Sequence, residues 1–215
     1  AILNKAAKEW DWLDKAPYLK LYREPKRRIR WLTKQEATKL IAALPPYMAD
    51  MVVFSLGTGL RQRNVLDMEW SQIDLSARMA WIHASDSKSG RAIGVALNDT
   101  AVAVLSKQMG KHPRFVFTQP NGRKVLSISS RIWKNALEKA EITDFRWHDL
   151  RHTWASWLIQ AGVPLAALQE MGGWESIEMV RRYAHLSAEH LQNHAALLDR
   201  MGLADGTNLA HLEKG

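Results

Sequence analysis

The sequence predicts a mainly α-helical α+β domain with a small antiparallel β-sheet. Three observations carry this. Apolar residues recur at helical spacing along most of the chain. Two short apolar runs, 79–83 and 92–97, flank the turn-forming Ser87-Lys88-Ser89-Gly90. Prolines and glycines punctuate the helical stretches. At 215 residues the chain is long enough for one substantial core with an appended arm.

In residues 1–30 nine Lys/Arg face four Asp/Glu, a net +5 out of the chain's formal +8. Trp10, Trp12 and Leu13 give this arm apolar content, and Pro17 and Pro25 break it. It reads as a helix remnant followed by an exposed basic linker. The compact domain is expected over residues 31–200. Thr33-Lys34-Gln35-Glu36 is a capping box, with Ala37, Leu40, Ile41 and Leu44 following at i, i+3, i+4, i+7. Pro45-Pro46 ends that helix and opens an apolar one through Met51, Val53 and Leu56. Gly57-Thr58-Gly59 then forces a turn before Arg61.

The hairpin over 79–97 is followed by Asn98-Asp99-Thr100, which caps a helix containing Val102, Leu105 and Met109. Residues 115–117 are expected as a short strand and Pro120-Asn121-Gly122 as a turn. Helices are expected near 127–140, 148–161, 164–171 and 176–184, with Gly162 and Gly172-Gly173 between them. A last helix is expected over 187–200, an amphipathic one with Leu191, Ala195 and Leu198, and residues 201–215 read as a mobile tail.

Composition excludes several chemistries. With no cysteine there is no disulfide framework, thiolate metal cage or Cys nucleophile. No run approaches the about 18 apolar residues of a membrane span, and the N-terminus lacks a signal-peptide core, so neither membrane insertion nor secretion is expected. A pI near 9.8 favours a polyanionic partner. The ten tryptophans outnumber tyrosine and phenylalanine together, an imbalance that composition alone does not explain.

The helix opening at His148-Asp149-Leu150-Arg151-His152 is the most informative segment. At about 100° per residue, Leu150, Trp154, Trp157, Leu158 and Ala161 share one face. His148, Arg151, His152 and Ala155 share the other. One side is expected to anchor in the core, and the other to present imidazole and guanidinium side by side. His148 and His152 at i and i+4 match a metal-binding spacing, but the glutamate of H-E-x-x-H is missing and Arg151 between them repels a cation. Solvated helix-surface histidines are the plain alternative.

Further motifs surround this helix in order. Gly57-Thr58-Gly59-Leu60-Arg61 precedes it, with Lys88 in the hairpin. Gly172-Gly173-Trp174 and Arg182-Tyr183-Ala184-His185 follow. Arg61 alone reads as a surface arginine, Lys88 as an ordinary hairpin lysine and Tyr183 as a half-buried tyrosine. Together the series resembles the catalytic domain of the tyrosine recombinases, in particular phage-type integrases, over roughly residues 25–190.

The resemblance implies a DNA breaking-rejoining catalytic fold and assigns roles. Arg61 and Arg151 grip the scissile phosphate. Lys88 is the general acid for the 5′-oxygen leaving group, and His148 assists proton transfer near the nucleophile. Trp174 stands where many relatives have His, and Tyr183 is the nucleophile. Asp149 and His152 are supporting residues beside the box. Asn64 departs from the acidic residue common three positions after the first arginine, which weakens the expected orientation of Arg61. Arg63, Arg181 and Arg182 read as DNA-backbone or surface charges.

These residue types suit the chemistry on physical grounds. Cleaving a phosphodiester builds charge on equatorial oxygens, which a preorganised cationic clamp stabilises. Arginine's permanently charged fork fits phosphate oxygens in pairs. A phenol of pKa about 10 is neutral at pH 7 and needs neighbouring cations and a base to attack. Neighbouring arginines make a lysine a better acid. With such a clamp no metal and no cofactor are expected.

The resemblance further implies site-specific recombination through a covalent 3′-phosphotyrosyl intermediate, with integration and excision of a phage or mobile element. Expected partners are double-stranded DNA attachment sites, DNA-bending accessory proteins and further copies of the chain. The chain would be a monomer without DNA and a tetrameric synapse on it, in the cytoplasm at the bacterial nucleoid. Residues 1–30 would be the end of a core-binding domain and its linker, so weak, poorly specific DNA binding is expected of this chain alone. In relatives the C-terminal tail often reaches a neighbouring protomer. Two rivals remain. One is a non-catalytic DNA-binding relative, against which the full set of site residues argues. The other is a metal-dependent hydrolase using His148 and His152.

Overall fold

A computed structural model describes residues 2–18, 29–86, 90, 92–187 and 195–197. Nine α-helices and three strands occur among them. They are α1 (Ile2–Lys8), α2 (Lys34–Ala43), α3 (Pro46–Thr58), α4 (Gln62–Leu66), β1 (Ile73–Asp74), β2 (Met79–Ile82), β3 (Ile93–Ala96), α5 (Asp99–Gln108), α6 (Ser130–Lys139), α7 (Asp149–Gln160), α8 (Leu165–Gly172) and α9 (Glu178–Arg181). The mainly helical architecture with a small antiparallel sheet agrees with the sequence. No described helix is long and apolar enough to cross a membrane.

The capping box that starts α2 forms as expected. Thr33 accepts from the Glu36 N–H, and the Glu36 carboxylate accepts from the Thr33 N–H at 2.7 Å. Pro46 opens α3 at a position where its missing N–H costs nothing. The helix ends at Gly59, whose φ of +66° a residue with a side chain adopts only with strain. Asn98 and Ser129 cap α5 and α6 through their side chains.

The sheet runs β1-β2-β3, with Trp81 opposite Gly94 and Ile82 opposite Ile93. Ala80, Ile82, Ile93 and Val95 point inward, while Trp81 is exposed. The hairpin tip residues Ser87, Lys88 and Ser89 lie outside the described residues.

Four expectations change. Residues 115–117 form no strand, because His112 Nδ1 accepts the N–H groups of both Arg114 and Phe115 and so withdraws a ladder donor. Only an isolated bridge from Phe115 to Glu69 remains. The apolar run marked burial of Val116 and Phe117 rather than extension. The helix expected over 176–184 shrinks to α9, and tight i→i−3 hydrogen bonds at Tyr183 and Leu186 replace its end. The helix near 127–140 starts later, at the Ser129 cap. Of the final helix over 187–200 only residue 187, which closes the turn at 184–187, and the helical 195–197 are described; the tail over 201–215 lies outside the described residues.

The fourth change concerns α7. The face expected to anchor in the core does so at Leu150 and Trp154 but not at Ala161, which is exposed. The face that presents Arg151 and His152 is covered as well, with Arg151, Thr153, Ala155, Ser156 and Ile159 buried. The helix is central. It packs on α3 on one side and on α8 and the turn at residues 184–187 on the other. Its two sides belong to separate clusters. Leu150 joins the large core of α2, α3, α5, α6 and the sheet. Trp154, Ala155 and Ile159 join a smaller one with Leu168, Val180 and Tyr183. The chain's entry is stapled to the same helix: the Leu32 N–H donates to Thr153 Oγ1 at 3.1 Å, and Trp157 Nε1–H donates to the Leu32 carbonyl at 2.9 Å.

Candidate active site

Arg61, His148, Arg151, His152, Trp174 and Tyr183 line one cavity of about 300 Å³, together with Arg182. Six sequence-selected positions from distant parts of the chain are thus brought together, with His152 among them. Asp149 stands at the first turn of α7, where its carboxylate accepts from the Arg146 N–H at 2.7 Å and steadies the approach to the helix. Lys88 lies outside the described residues. The strand that follows it is anchored near the cavity, since Ile93 packs directly against Gly173.

Arg151 is held by backbone. Its Nη1–H donates to the Gly59 carbonyl at 2.7 Å and its Nη2–H to the Gly172 carbonyl at 2.5 Å. The guanidinium also lies 4.1 Å from the centre of the Trp174 ring, a cation–π contact. A guanidinium has five N–H donors, so two bonds to backbone leave others for a phosphate. Arg151 is only 6 % exposed. Burial, and then the nearby Arg61 charge, pull its pKa down to about 10, so it stays cationic at pH 7 by roughly a thousandfold.

Both carbonyl platforms are glycines covered by tryptophan. A Cβ on Gly59 would sit 2.3 Å from the Trp154 ring, and one on Gly172 would sit 1.9 Å from the Trp174 ring. The two indoles stack at 6.1 Å and 24°. Gly59 and Gly172 therefore let two aromatic plates lie flat against backbone, which sets the height of the carbonyls that grip Arg151. Arg61 follows two residues after Gly59 as the extended residue before α4, and Asn64 is buried inside that helix.

Tyr183 is 1 % exposed, and its hydroxyl lies 2.5 Å from His152 Nδ1. Burial pushes the phenol up to about 12, only partly offset by Arg182 and Arg151. Burial also pushes His152 down to about 4, reinforced by His148, Arg182 and Arg151. Both groups are therefore neutral at pH 7 and share one hydrogen bond, whose direction is set by the imidazole tautomer. With the phenol raised and the imidazole lowered by burial, proton transfer from Tyr183 to His152 is uphill in this arrangement. His148 is exposed at the start of α7, with its ring edge-on to His152 at 5.2 Å. His152 thus places an imidazole nitrogen within hydrogen-bond reach of the phenol. Among the described residues no group of three His, Cys, Asp or Glu is placed to hold a metal ion.

The profile of the phage integrase family matches residues 30–190. This chain belongs to the phage integrase family. Among relatives, the integrase of Salmonella phage P22 is 51 % identical over 98 % of this chain. The match spans 58 % of that integrase's own length. The tyrosine recombinase XerA of Thermococcus kodakarensis is 25 % identical over 87 % of this chain and 70 % of its own. Among solved structures, the catalytic domain of bacteriophage HP1 integrase superposes with a TM-score of 0.60 at 24 % identity, covering 84 % of this chain and 98 % of that one. A crystal structure of XerA recombinase gives 0.63 at 19 % identity, over 91 % and 80 %. The Tn1549 transposon integrase in complex with transposon right end DNA gives 0.65 at 18 %, over 81 % and 68 %. These likenesses place the fold of this phage integrase family member among the recombinase catalytic domains.

Sequence reasoning missed the Gly59 and Gly172 carbonyls as the mounts of Arg151, because backbone acceptors leave no residue-type signal. It also missed that Trp154 belongs to the site's frame rather than to the main core. The combination of the Gly-x-Arg and Gly-Gly-Trp motifs with an unusual tryptophan content was the available hint.

Proposed function

We propose that this chain is the catalytic part of a site-specific DNA recombinase that integrates and excises a phage or mobile element. The single observation that carries the reading is the convergence of a tyrosine, an imidazole and two arginines on one small cavity. In this reading Arg61 and Arg151 bind the non-bridging oxygens of the scissile phosphate. The phenol oxygen of Tyr183 attacks phosphorus, forming a 3′-phosphotyrosyl bond as the bond to the 5′-oxygen breaks. Lys88 delivers the proton to that oxygen, and His148 assists proton movement on the nucleophile's side. Trp174 backs Arg151 and walls the cavity. Asp149 holds the start of the helix. A second DNA 5′-hydroxyl then reverses the step on a new strand, conserving the phosphodiester without a nucleotide cofactor.

The cationic cavity suits a phosphodiester because fixed positive groups stabilise the negative charge that develops on its oxygens as the bond breaks, and so lower the barrier. Double-stranded attachment sites are the proposed substrate. Copies of the chain would assemble on DNA into a tetrameric synapse with DNA-bending proteins assisting, in the cytoplasm at the nucleoid. Residues 1–30 would be the end of a core-binding domain and its linker, residues 31–200 the catalytic domain, and residues 201–215 a C-terminal tail.

The test is a nicked suicide duplex carrying the attachment site, incubated with the chain in excess chelator. The wild type is expected to form an adduct that survives denaturation, and Tyr183→Phe none. An adduct unchanged by that substitution overturns the assignment of Tyr183. Adduct formation abolished by chelator would favour a metal-dependent reaction instead.

A further inference from the structure

We infer that His152 is the residue that positions the nucleophile: its unprotonated Nδ1 receives the Tyr183 O–H and fixes where the phenol oxygen stands beside the arginine-lined cavity. The inference rests on the recombinase reading of the same site and adds a role for a residue that reading leaves as a neighbour.

The geometry carries it. The 2.5 Å contact joins residues 31 apart in sequence. Tyr183 follows a helix of only four residues and sits between two tight turns. Packing in the smaller core holds the ring, and the hydroxyl at its tip needs a polar partner to fix its direction. His152 supplies one from α7, the helix that also carries Arg151. The group that grips phosphate and the group that holds the phenol are therefore adjacent residues on one rigid element, which preserves the spacing between phosphate and attacking oxygen. Trp174, 6.1 Å from the phenol ring and tilted by 57°, limits its sideways movement.

The charges around the pair select its protonation. His152 faces His148 and Arg151 on its own helix and Arg182 from the turn after α9. All of these disfavour an imidazolium, so the ring stays neutral, and in the proposed tautomer, with its proton on Nε2, Nδ1 offers its lone pair to the phenol. Tyr183 faces Arg151, Arg182 and Asp149. The mismatch in proton affinity between phenol and imidazole makes His152 an acceptor of the hydrogen bond rather than of the proton in this arrangement.

The experiment compares the wild type with His152→Asn, which retains an acceptor oxygen near the Nδ1 position, and His152→Leu, which does not. Single-turnover adduct formation on the suicide duplex is measured from pH 5.5 to 8.5, with duplex affinity and folding followed in parallel. Expected are a rate for His152→Asn within about fivefold of wild type and a loss of about ten- to a hundredfold for His152→Leu at unchanged affinity. His152→Leu reacting like wild type overturns the inference while leaving the recombinase reading standing. So does a folded His152→Asn that fails as badly as His152→Leu, since proton transfer would then be the role. Absence of an adduct with the wild type sinks both. A readout independent of reaction is 15N NMR of the His152 ring in the full chain, where Nδ1 is expected unprotonated at pH 7 and shifted by Tyr183→Phe. A protonated Nδ1, or no shift, overturns the inference even if His152→Leu fails to fold.

Discussion

His152 and Tyr183 are displaced in opposite directions by the same leading cause, burial, and this makes them a signature in the pH dependence of stability. The folded His152 binds its proton only near pH 4, against about 6.5 when unfolded. Below about pH 6.5 the unfolded chain therefore takes up a proton that the folded one refuses. Stability from this group is complete above that pH and is lost as pH falls toward 4. Allowing for partial solvent screening, the loss is about 2 kcal/mol. Tyr183 acts at the other end: its folded value of about 12 exceeds the unfolded one, so its contribution is complete below about pH 10 and is lost above it. Urea midpoints at pH 7 and pH 5 are expected to differ in the wild type and to converge in His152→Asn. An unchanged slope in the variant would show that His152 is not the titrating group. Both residues were visible in the sequence by motif, but His152 only as a supporting residue beside the box. Spacing on a helix says which residues share a side, not which of two neighbours a distant turn will touch.

Between elements, the decisive joints are the two glycine–tryptophan contacts. Gly172→Ala would drive a methyl into the Trp174 ring, displacing the plate under Arg151 and shifting the carbonyl that accepts from it. The expected outcome is a loss of about 1–3 kcal/mol in stability from overpacking, with adduct formation falling further than stability explains. Thermal unfolding together with single-turnover cleavage would check this, and a variant that is less stable yet cleaves normally would count against it. Helix positions were largely legible, because capping boxes, Pro at N1 and terminal glycines are local chemistry: Thr33, Pro46 and Gly59 each act as their residue types dictate. Residues 115–117 were misread because a side chain, His112, diverts their backbone donors. The burial of α7 on its polar side was not legible for a different reason. A short apolar period marks one buried face, and nothing local reveals that a second layer, built from α8, α9 and Tyr183, closes over the polar one.

For the molecule as a whole, the excess of positive charge predicts the behaviour of DNA binding more than its specificity. Five of the eight net charges lie in residues 1–30. Affinity for random duplex is expected to fall with salt at a log–log slope steeper than about −3, and the joint replacement of Lys26, Arg27 and Arg28 by Gln should flatten it by about 2–3. Fluorescence anisotropy between about 50 and about 200 mM salt would test this; a slope near zero in the unaltered chain would remove the electrostatic account. Motif order in the sequence identified which residues would meet, yet it did not show that the candidate nucleophile rests covered, 1 % exposed. That depends on the turn after α9, which has no signature of its own. One joint links these scales. Leu32, at the domain's entry, is tied to Thr153 and Trp157, while the exit past Tyr183 lies against the same helix. A load on either end of the domain therefore arrives at α7 within a turn of Arg151 and His152. Tension applied through the flanking chain is borne by the lever that carries the chemistry, and not by the sheet.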